Sequence, residues 1–240
     1  MFARLKLFRF DWKLTLLTAA LLPLLLSLGS WQLRREQEKV DLQQQYATRQ
    51  AETPIALSRM DEDAELQYRQ VELAGRYDNA HHFLLDNRIH QGQAGYELLT
   101  PVITDGNDVV FVNRGWLSQG ASRSQLPEPL PIEGPVTLRG SVYVQVGTPF
   151  VLDGTMPVAG WPRVIQSLDI AAMAEAAGYS ANAVFPHSVR LAEGEPGVLI
   201  RDWPVITTTP EKHRAYAVQW FAMAAMLLGL YLYYSTRPAN

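Results

Sequence analysis

The chain has 240 residues, 48% of them hydrophobic and 19% charged, with a net charge of −3 and no cysteine. One or two domains fit that length. The missing cysteine excludes a disulfide framework, Cys-ligated zinc, iron–sulfur clusters, a covalently attached c-type haem and a Cys nucleophile, and the slight acidity gives no footprint for nucleic acid.

A mean hydropathy of −0.08 hides two apolar runs, one near each end. Residues 1–13 form a tail carrying Arg4, Lys6, Arg9 and Lys13. Residues 14–31, LTLLTAALLPLLLSLGSW, contain no charge. A bilayer core of about 30 Å needs about 20 helical residues. The run meets that length as a span over 14–32, with Trp12 and Gln32 at the interfaces. Pro23 sits mid-span, where a transmembrane helix tolerates it with a kink. The competing reading is a cleaved signal peptide, since basic residues precede the run and Ser27 and Gly29 are small. The run is long for such a peptide and a charged helical stretch follows directly, so the sequence predicts an uncleaved anchor.

Residues 33–50 are rich in strong helix formers and read as the first helix continuing into water as a stalk. Arg34 and Glu38 are spaced for an i,i+4 pair. The face is read equally as solvated or as a binding surface. Pro54 ends it. Strands are then expected at 68–77 (Val71, Leu73, Gly75 and Tyr77 alternating), 81–87, 96–103, 108–117 and 136–145. The DGN at 105–107 signals a hairpin turn. Pro127, Pro129, Pro131 and Pro135 mark an irregular loop. Residues 167–179 read as one amphipathic helix, with Ser167 as its N-cap and Gly178 as its stop. Strands at 184–191 and 197–203 complete a domain over 33–212. Strands, one helix, then strands predict an α+β membrane protein whose domain has a mainly antiparallel, barrel-like sheet.

The second run, AYAVQWFAMAAMLLGLYLYY at 215–234, has Gln219 as its only strongly polar side chain. It predicts a span over 213–234 and a tail over 235–240, rather than a buried core helix. Trp31, Tyr231, Tyr233 and Tyr234 lie near span ends, where such rings settle at headgroup depth. Ala225 and Gly229 form a small-xxx-small pattern, read as packing against the first helix. Near the membrane the tails carry five basic residues and the loop side carries five, so the positive-inside count does not orient the chain. The middle segment holds fifteen basic and twenty-three acidic residues.

No phosphate loop, GxGxxG, GxSxG or HExxH occurs, so no enzyme class is supported. Asp86, His90 and Glu97 are close in sequence, but their spacing supports no acid/base site. His81 and His82 are adjacent in a strand and point to opposite faces. They and His90 read as surface or edge histidines, and His187 carries no functional argument. His213 begins the second span, and on a helix it shares a face with Ala217, Trp220 and Ala224. An imidazole there could ligate haem iron beside small and aromatic residues, or it is an ordinary interfacial histidine between Lys212 and Arg214. Asn113, Arg114, Gly115 and Trp116 form a compact group at a strand end. They read either as a carboxylate- and ring-binding patch or as a structural turn.

Several stretches, in order and between two spans, carry a resemblance: GSWQLRREQEK at 29–39, YRQVELAGRY at 68–77, LLDNR at 84–88, GYELLTP at 95–101, VNRGW at 112–116 and PEKHRAYAVQWFAMA at 210–224. The chain resembles the surfeit-locus-protein-one family, membrane assembly factors for haem–copper cytochrome c oxidase, as a bacterial-type member. Residues 120–185 carry little of the likeness. The resemblance implies a bacterial inner-membrane protein with both termini cytoplasmic and the main domain periplasmic. It implies oxidase subunit I and the haem a synthesis machinery as partners, with membrane lipid around the spans. It implies help in placing haem a, held transiently by the histidine at the second span, here His213, beside Ala217 and Trp220. Asn113 to Trp116 are the corresponding candidates for partner contact. Two readings stay open: a haem carrier, or a cofactor-free scaffold and chaperone. The sequence leaves open the haem stoichiometry, the second axial ligand, any copper involvement and the oligomeric state.

Overall fold

The structure is a computed structural model that describes residues 10–59, 65–120, 125–145 and 160–236. Most of the expected tails, including Arg4, Lys6, Arg9 and Arg237, lies outside the described residues. The chain divides into two compact units, one containing the end segments to 45 and from 204, the other spanning Tyr46–Trp203.

The first unit is a pair of helices. Helix α1 runs unbroken over Trp12–Ala51, through Pro23. Asp11 starts it, its carboxylate accepting the Lys13 and Leu14 amides, which is ordinary N-capping. Forty residues at 1.5 Å each make a rod of about 60 Å, twice a hydrocarbon core, so the charged stalk continues the span as expected. Its ion pair joins Arg35 to Glu38 at 2.6 Å, in place of the expected Arg34–Glu38 pair. Helix α2, Ile170–Ala176, belongs to the other unit. Helix α3 covers Pro210–Ser235, with Thr209 before it and proline in its first turn, where the missing amide costs nothing.

Both long helices contain windows apolar enough to cross a membrane, and only 11% of each window is buried within the protein. A core helix of a soluble protein would be mostly covered. Here Leu16, Leu17, Leu24, Met226 and Leu230 are exposed, as lipid-facing side chains are. In α1, Thr18, Ser27 and Ser30 return their hydroxyls to carbonyls of the preceding turn, which satisfies them without water.

The two helices run antiparallel. Thr15 meets Tyr231 at 3.1 Å, Gly29 lies under the ring of Phe221, Gln32 meets His213 and Glu36 meets Arg214. Covered positions in α3 recur at Pro210, Ala217 and Ala224, a seven-residue spacing that keeps one seam facing a partner helix. The small residue at the seam is therefore Gly29. Ala225 is exposed and nothing lies within 4 Å of a Cβ placed on Gly229, so the expected Ala225–Gly229 packing does not form. The apolar stretch of α1 supplies one side of this seam.

The second unit is built on one eight-stranded sheet. Strand β1 is Ile55–Ala56, β2 Gln70–Tyr77, β3 Phe83–His90, β4 Gln93–Thr104, β5 Val109–Ser118, β6 Val136–Tyr143, β7 Arg163–Ile165 and β8 Ser188–Leu191. Strands β2, β6, β8, β5 and β4 pair in a ring, because β4 also bonds back to β2. The length of β4 makes that closure possible. One of its edges pairs with β3 over 93–99 and then with β2 over 102–104. A register shift at Leu98–Leu99 against β5 bends it on the way. The ring's interior holds Val71, Leu73, Val102, Val112, Leu138 and Val189. A second cluster packs Phe83, Leu85 and Phe111 against Met173 of α2, Ile170–Ala176.

The alternation read at 70–77 is present, with Val71, Leu73, Gly75 and Tyr77 inward. Four expectations change. Strands β3 and β4 extend to meet at Gln91 and Gly92, both at positive φ, a tight hairpin of the kind two such residues favour. Helix α2 starts after Asp169, which caps Ala172, rather than after Ser167. Of the expected strand at 184–191 only Ser188–Leu191 forms a ladder. Residues 197–203 form no strand and contribute a single bridge from Ile200 to Trp116.

Candidate functional site

His213 lies in the first turn of α3, on the face that meets α1. Its Nδ1 is 2.8 Å from Oε1 of Gln32. With the amide oxygen as acceptor, Nδ1 is the donor of this pair. Nε2 is buried and has no hydrogen-bond partner. An unpaired buried polar atom costs about 1–3 kcal/mol. A histidine fixed through one nitrogen, with the other left free, is also how protein imidazoles are set to ligate metals. One turn away on the stalk side, Arg214 grips Glu36 through Nε at 2.7 Å and Nη2 at 2.6 Å. Gln32 and Glu36 occupy successive turns of α1, so one face of the stalk supplies both partners. Neither residue stands out in the sequence, since glutamine and glutamate recur throughout 33–50. The usable signal is their spacing of four opposite the HR pair of α3.

Ala217 and Trp220 do share the helix face with His213. Ala217 is buried in the seam and Trp220 is half-buried. The donor chemistry is that of one oriented imidazole with an unpartnered nitrogen at an aromatic-flanked helix start, and His213 would be the residue to hold a haem iron here. As the helices lie, Nε2 is enclosed in the seam.

The group Asn113–Trp116 sits inside the β domain. Asn113 is 0% exposed, and its amide donates to Glu97 Oε2 at 2.5 Å while its oxygen accepts the Gly115 amide. Arg114 is 3% exposed, donates to the Gly197 carbonyl and stacks over Tyr77. Trp116 donates to the Arg88 carbonyl and lies against His90. Gly115 has φ +118°, and a Cβ there would come within 2.6 Å of the Ile200 carbonyl oxygen. These four residues therefore hold β5 to its neighbours, and little of them is offered to a partner. They lie within β5, laddered to β4, and not in a turn or at a strand end as expected.

The other histidines separate by environment. His82 is 7% exposed and bonded to Thr100 Oγ1, so it is a core histidine rather than the expected surface one. Burial, aided by the charge of Arg114, pushes its pKa down to about 4. His81 is half-exposed and bonds Asp78, which also accepts from the Tyr179 hydroxyl and the Ala80 amide. His90 bonds Asp202 at 2.6 Å. Glu97 is occupied by Asn113, so His90 and Glu97 do not form an acid/base pair. Among the described residues no three His, Cys, Asp or Glu side chains are placed to hold a metal ion.

Comparison with known proteins agrees with the order of these parts. The model of the SURF1 family matches residues 19–225. A SURF1-like protein of Monosiga brevicollis is 25% identical over 226 residues, covering 89% of this chain and 84% of its own. Surfeit locus protein 1 of Takifugu rubripes is 26% identical, covering 82% of this chain and 87% of its own. Cytochrome oxidase assembly protein SHY1 of Saccharomyces cerevisiae is 36% identical over 98 residues, 38% of this chain and 25% of its own.

Proposed function

The chain belongs to the SURF1 family, and from that premise we propose that it is a membrane assembly factor for haem–copper cytochrome c oxidase, assisting the insertion of haem a into subunit I by holding the haem transiently at His213. The oxidase connection rests on the family and on the name of the yeast relative. The haem reading rests on one observation: the Nε2 atom of His213 is buried and unpartnered while Gln32 fixes its Nδ1.

Haem a is too apolar to travel free in water, and a site at the start of a span keeps it at membrane depth. In this reading His213 ligates the iron through Nε2 and Gln32 maintains the tautomer. Trp220 offers a ring surface, and Ala217 keeps the seam narrow until the helices part. A single protein ligand in a seam that recloses favours release, which a handover requires. The β domain faces the periplasm, both termini lie in the cytoplasm, and the chain itself catalyses nothing. Its partners are subunit I and the haem a-producing enzymes of the inner membrane.

A second reading has its own support. The Gln32–His213 and Glu36–Arg214 contacts also clamp two helices together, as a haem-free scaffold would need. Deletion of the gene tests the function common to both readings. The expected result is loss of haem a-containing oxidase with unrelated envelope processes intact. Normal levels of that oxidase in the deletion strain would overturn the assignment.

A further inference from the structure

Two adjoining clefts open in the β domain where β6, β8 and the approach to α2 come together. The larger encloses about 590 Å³ and the smaller about 220 Å³. Tyr143, Gln145, Ser167 and Leu168 line both. Sites for small molecules usually enclose about 300–1,000 Å³.

The two clefts differ in chemistry. Ile170, Ala174 and Val184 give the larger an apolar wall. Ser188, also in that wall, is 2% exposed and its hydroxyl has no hydrogen-bond partner. Asp169 at the same cleft is occupied in capping α2. The smaller cleft brings together Arg88, Arg190 and Glu97. Glu97 accepts from Asn113 and lies 3.4 Å from Arg88 Nε, so one arginine charge is matched. Arg190 has no ion-pair partner among the described residues. Its guanidinium lies 3.7 Å over the ring of Tyr143 and 5.2 Å from that of Trp203, and its Nε is buried with no acceptor. Burial pushes the Arg190 pKa down, with the Glu97 charge opposing, yet a guanidinium keeps its proton. Among the described residues, the clefts thus hold a half-covered cation, one surplus positive charge and several orphaned donors beside an apolar trough. A buried charge is costly unless it is paired.

We propose that these clefts form a binding site for an amphipathic monocarboxylate, with its head on Arg190 and its apolar body along Ile170, Ala174 and Val184. One surplus charge calls for a monoanion. The planar guanidinium fork matches a carboxylate through two parallel bonds. The serine hydroxyl supplies a further donor along the trough. The site lies in a different unit from His213 and goes beyond the assembly role.

Octanoate titrated calorimetrically into the full chain in lipid nanodiscs tests the site, with empty nanodiscs giving the heat of partitioning. Saturable binding to one site per chain is expected, with Arg190→Gln weakening it roughly tenfold or more and Ser188→Ala by a few-fold. Arg190→Lys keeps the charge and loses the fork, and serves if the glutamine variant fails to fold; its expected loss is several-fold. Octanol should show only partitioning. No saturable heat above empty nanodiscs, or unchanged affinity in the folded Arg190 variant, would overturn the site. Tighter binding of octyl phosphate would overturn the carboxylate head. Haem plays no part in this readout, so its failure is separate from any failure at His213.

Discussion

Replacing Gly29 by alanine tests whether the helical pair closes as described. A Cβ at this position would lie 2.7 Å from two ring carbons of Phe221, well inside the 3.5–4.0 Å or so at which carbons attract. Overpacking of this kind costs about 1–3 kcal/mol. Against that, alanine is favoured over glycine in a helix by about 1 kcal/mol. The net effect expected for Gly29→Ala is therefore a destabilisation of roughly 0–2 kcal/mol, a weak test alone. The sign change is the strong one. In a Phe221→Ala background the ring is gone, the clash disappears, and Gly29→Ala becomes stabilising by about 1 kcal/mol. The two substitutions should thus couple by about 1–3 kcal/mol. Reversible unfolding in mixed micelles, followed by circular dichroism, measures all four corners of the cycle. Additivity to within about 0.5 kcal/mol would refute the Gly29–Phe221 seam and the helix register built on it.

Three further outcomes follow from the β domain. Gly115→Ala places a side chain at φ +118° and against the Ile200 carbonyl; thermal melting should show a loss of about 1–3 kcal/mol from backbone strain alone, and an unchanged melt would contradict the close approach. Asn113→Asp sets a second carboxylate against Glu97 in place of a bond of 2.5 Å; a cost of about 3–5 kcal/mol is expected at pH 7. That loss should shrink toward pH 5 as the pair takes up a shared proton, and a pH-independent loss would speak against the contact. His82 is held near 4, below its ordinary value of 6.5, so the unfolded chain binds its proton more readily. Its contribution, on the order of 3 kcal/mol, is complete above pH 6.5 and is lost as pH falls toward 4. Denaturant titrations across that window should lose this slope in His82→Gln; His187, also pushed down by burial, adds the same sign and remains in the variant.

Much of the fold is legible because its signals are local. Charge-free runs of bilayer length mark both spans, and the alternation of Val71, Leu73, Gly75 and Tyr77 marks an inward strand face. The DGN turn at 105–107 joins β4 to β5 as read, with Asn107 at positive φ. What was illegible depends on partners distant in sequence. Ring closure requires β4 to leave β3 for β2, which no window around β4 reveals. Residues 197–203 look like a strand, yet the β5 edge they approach already pairs with β8 at Val112 and Asn113, leaving room for one bridge. The Ala225–Gly229 pair has packing spacing but the wrong helix face, while Gly29 does the packing. At the candidate site, His213 could be picked out by its place at the start of a span. Gln32 and Glu36 could not, because a helix of repeated polar residues does not say which of them faces a partner 181 residues away. Asn113–Trp116 had the composition of a binding patch and the burial of a core.

The haem reading turns on the free Nε2 of His213. The most direct test is the reduced visible spectrum of the full chain, purified in detergent from cells that make haem a, alongside His213→Ala and Gln32→Leu. The account predicts a haem a band with the wild-type chain, its loss in His213→Ala with the helical content unchanged, and a weakened band in Gln32→Leu, where the tautomer is no longer fixed. Equal haem in wild type and His213→Ala, or none in a folded wild-type chain from cells with haem a to spare, would contradict it and leave the histidine as a clamp between two helices.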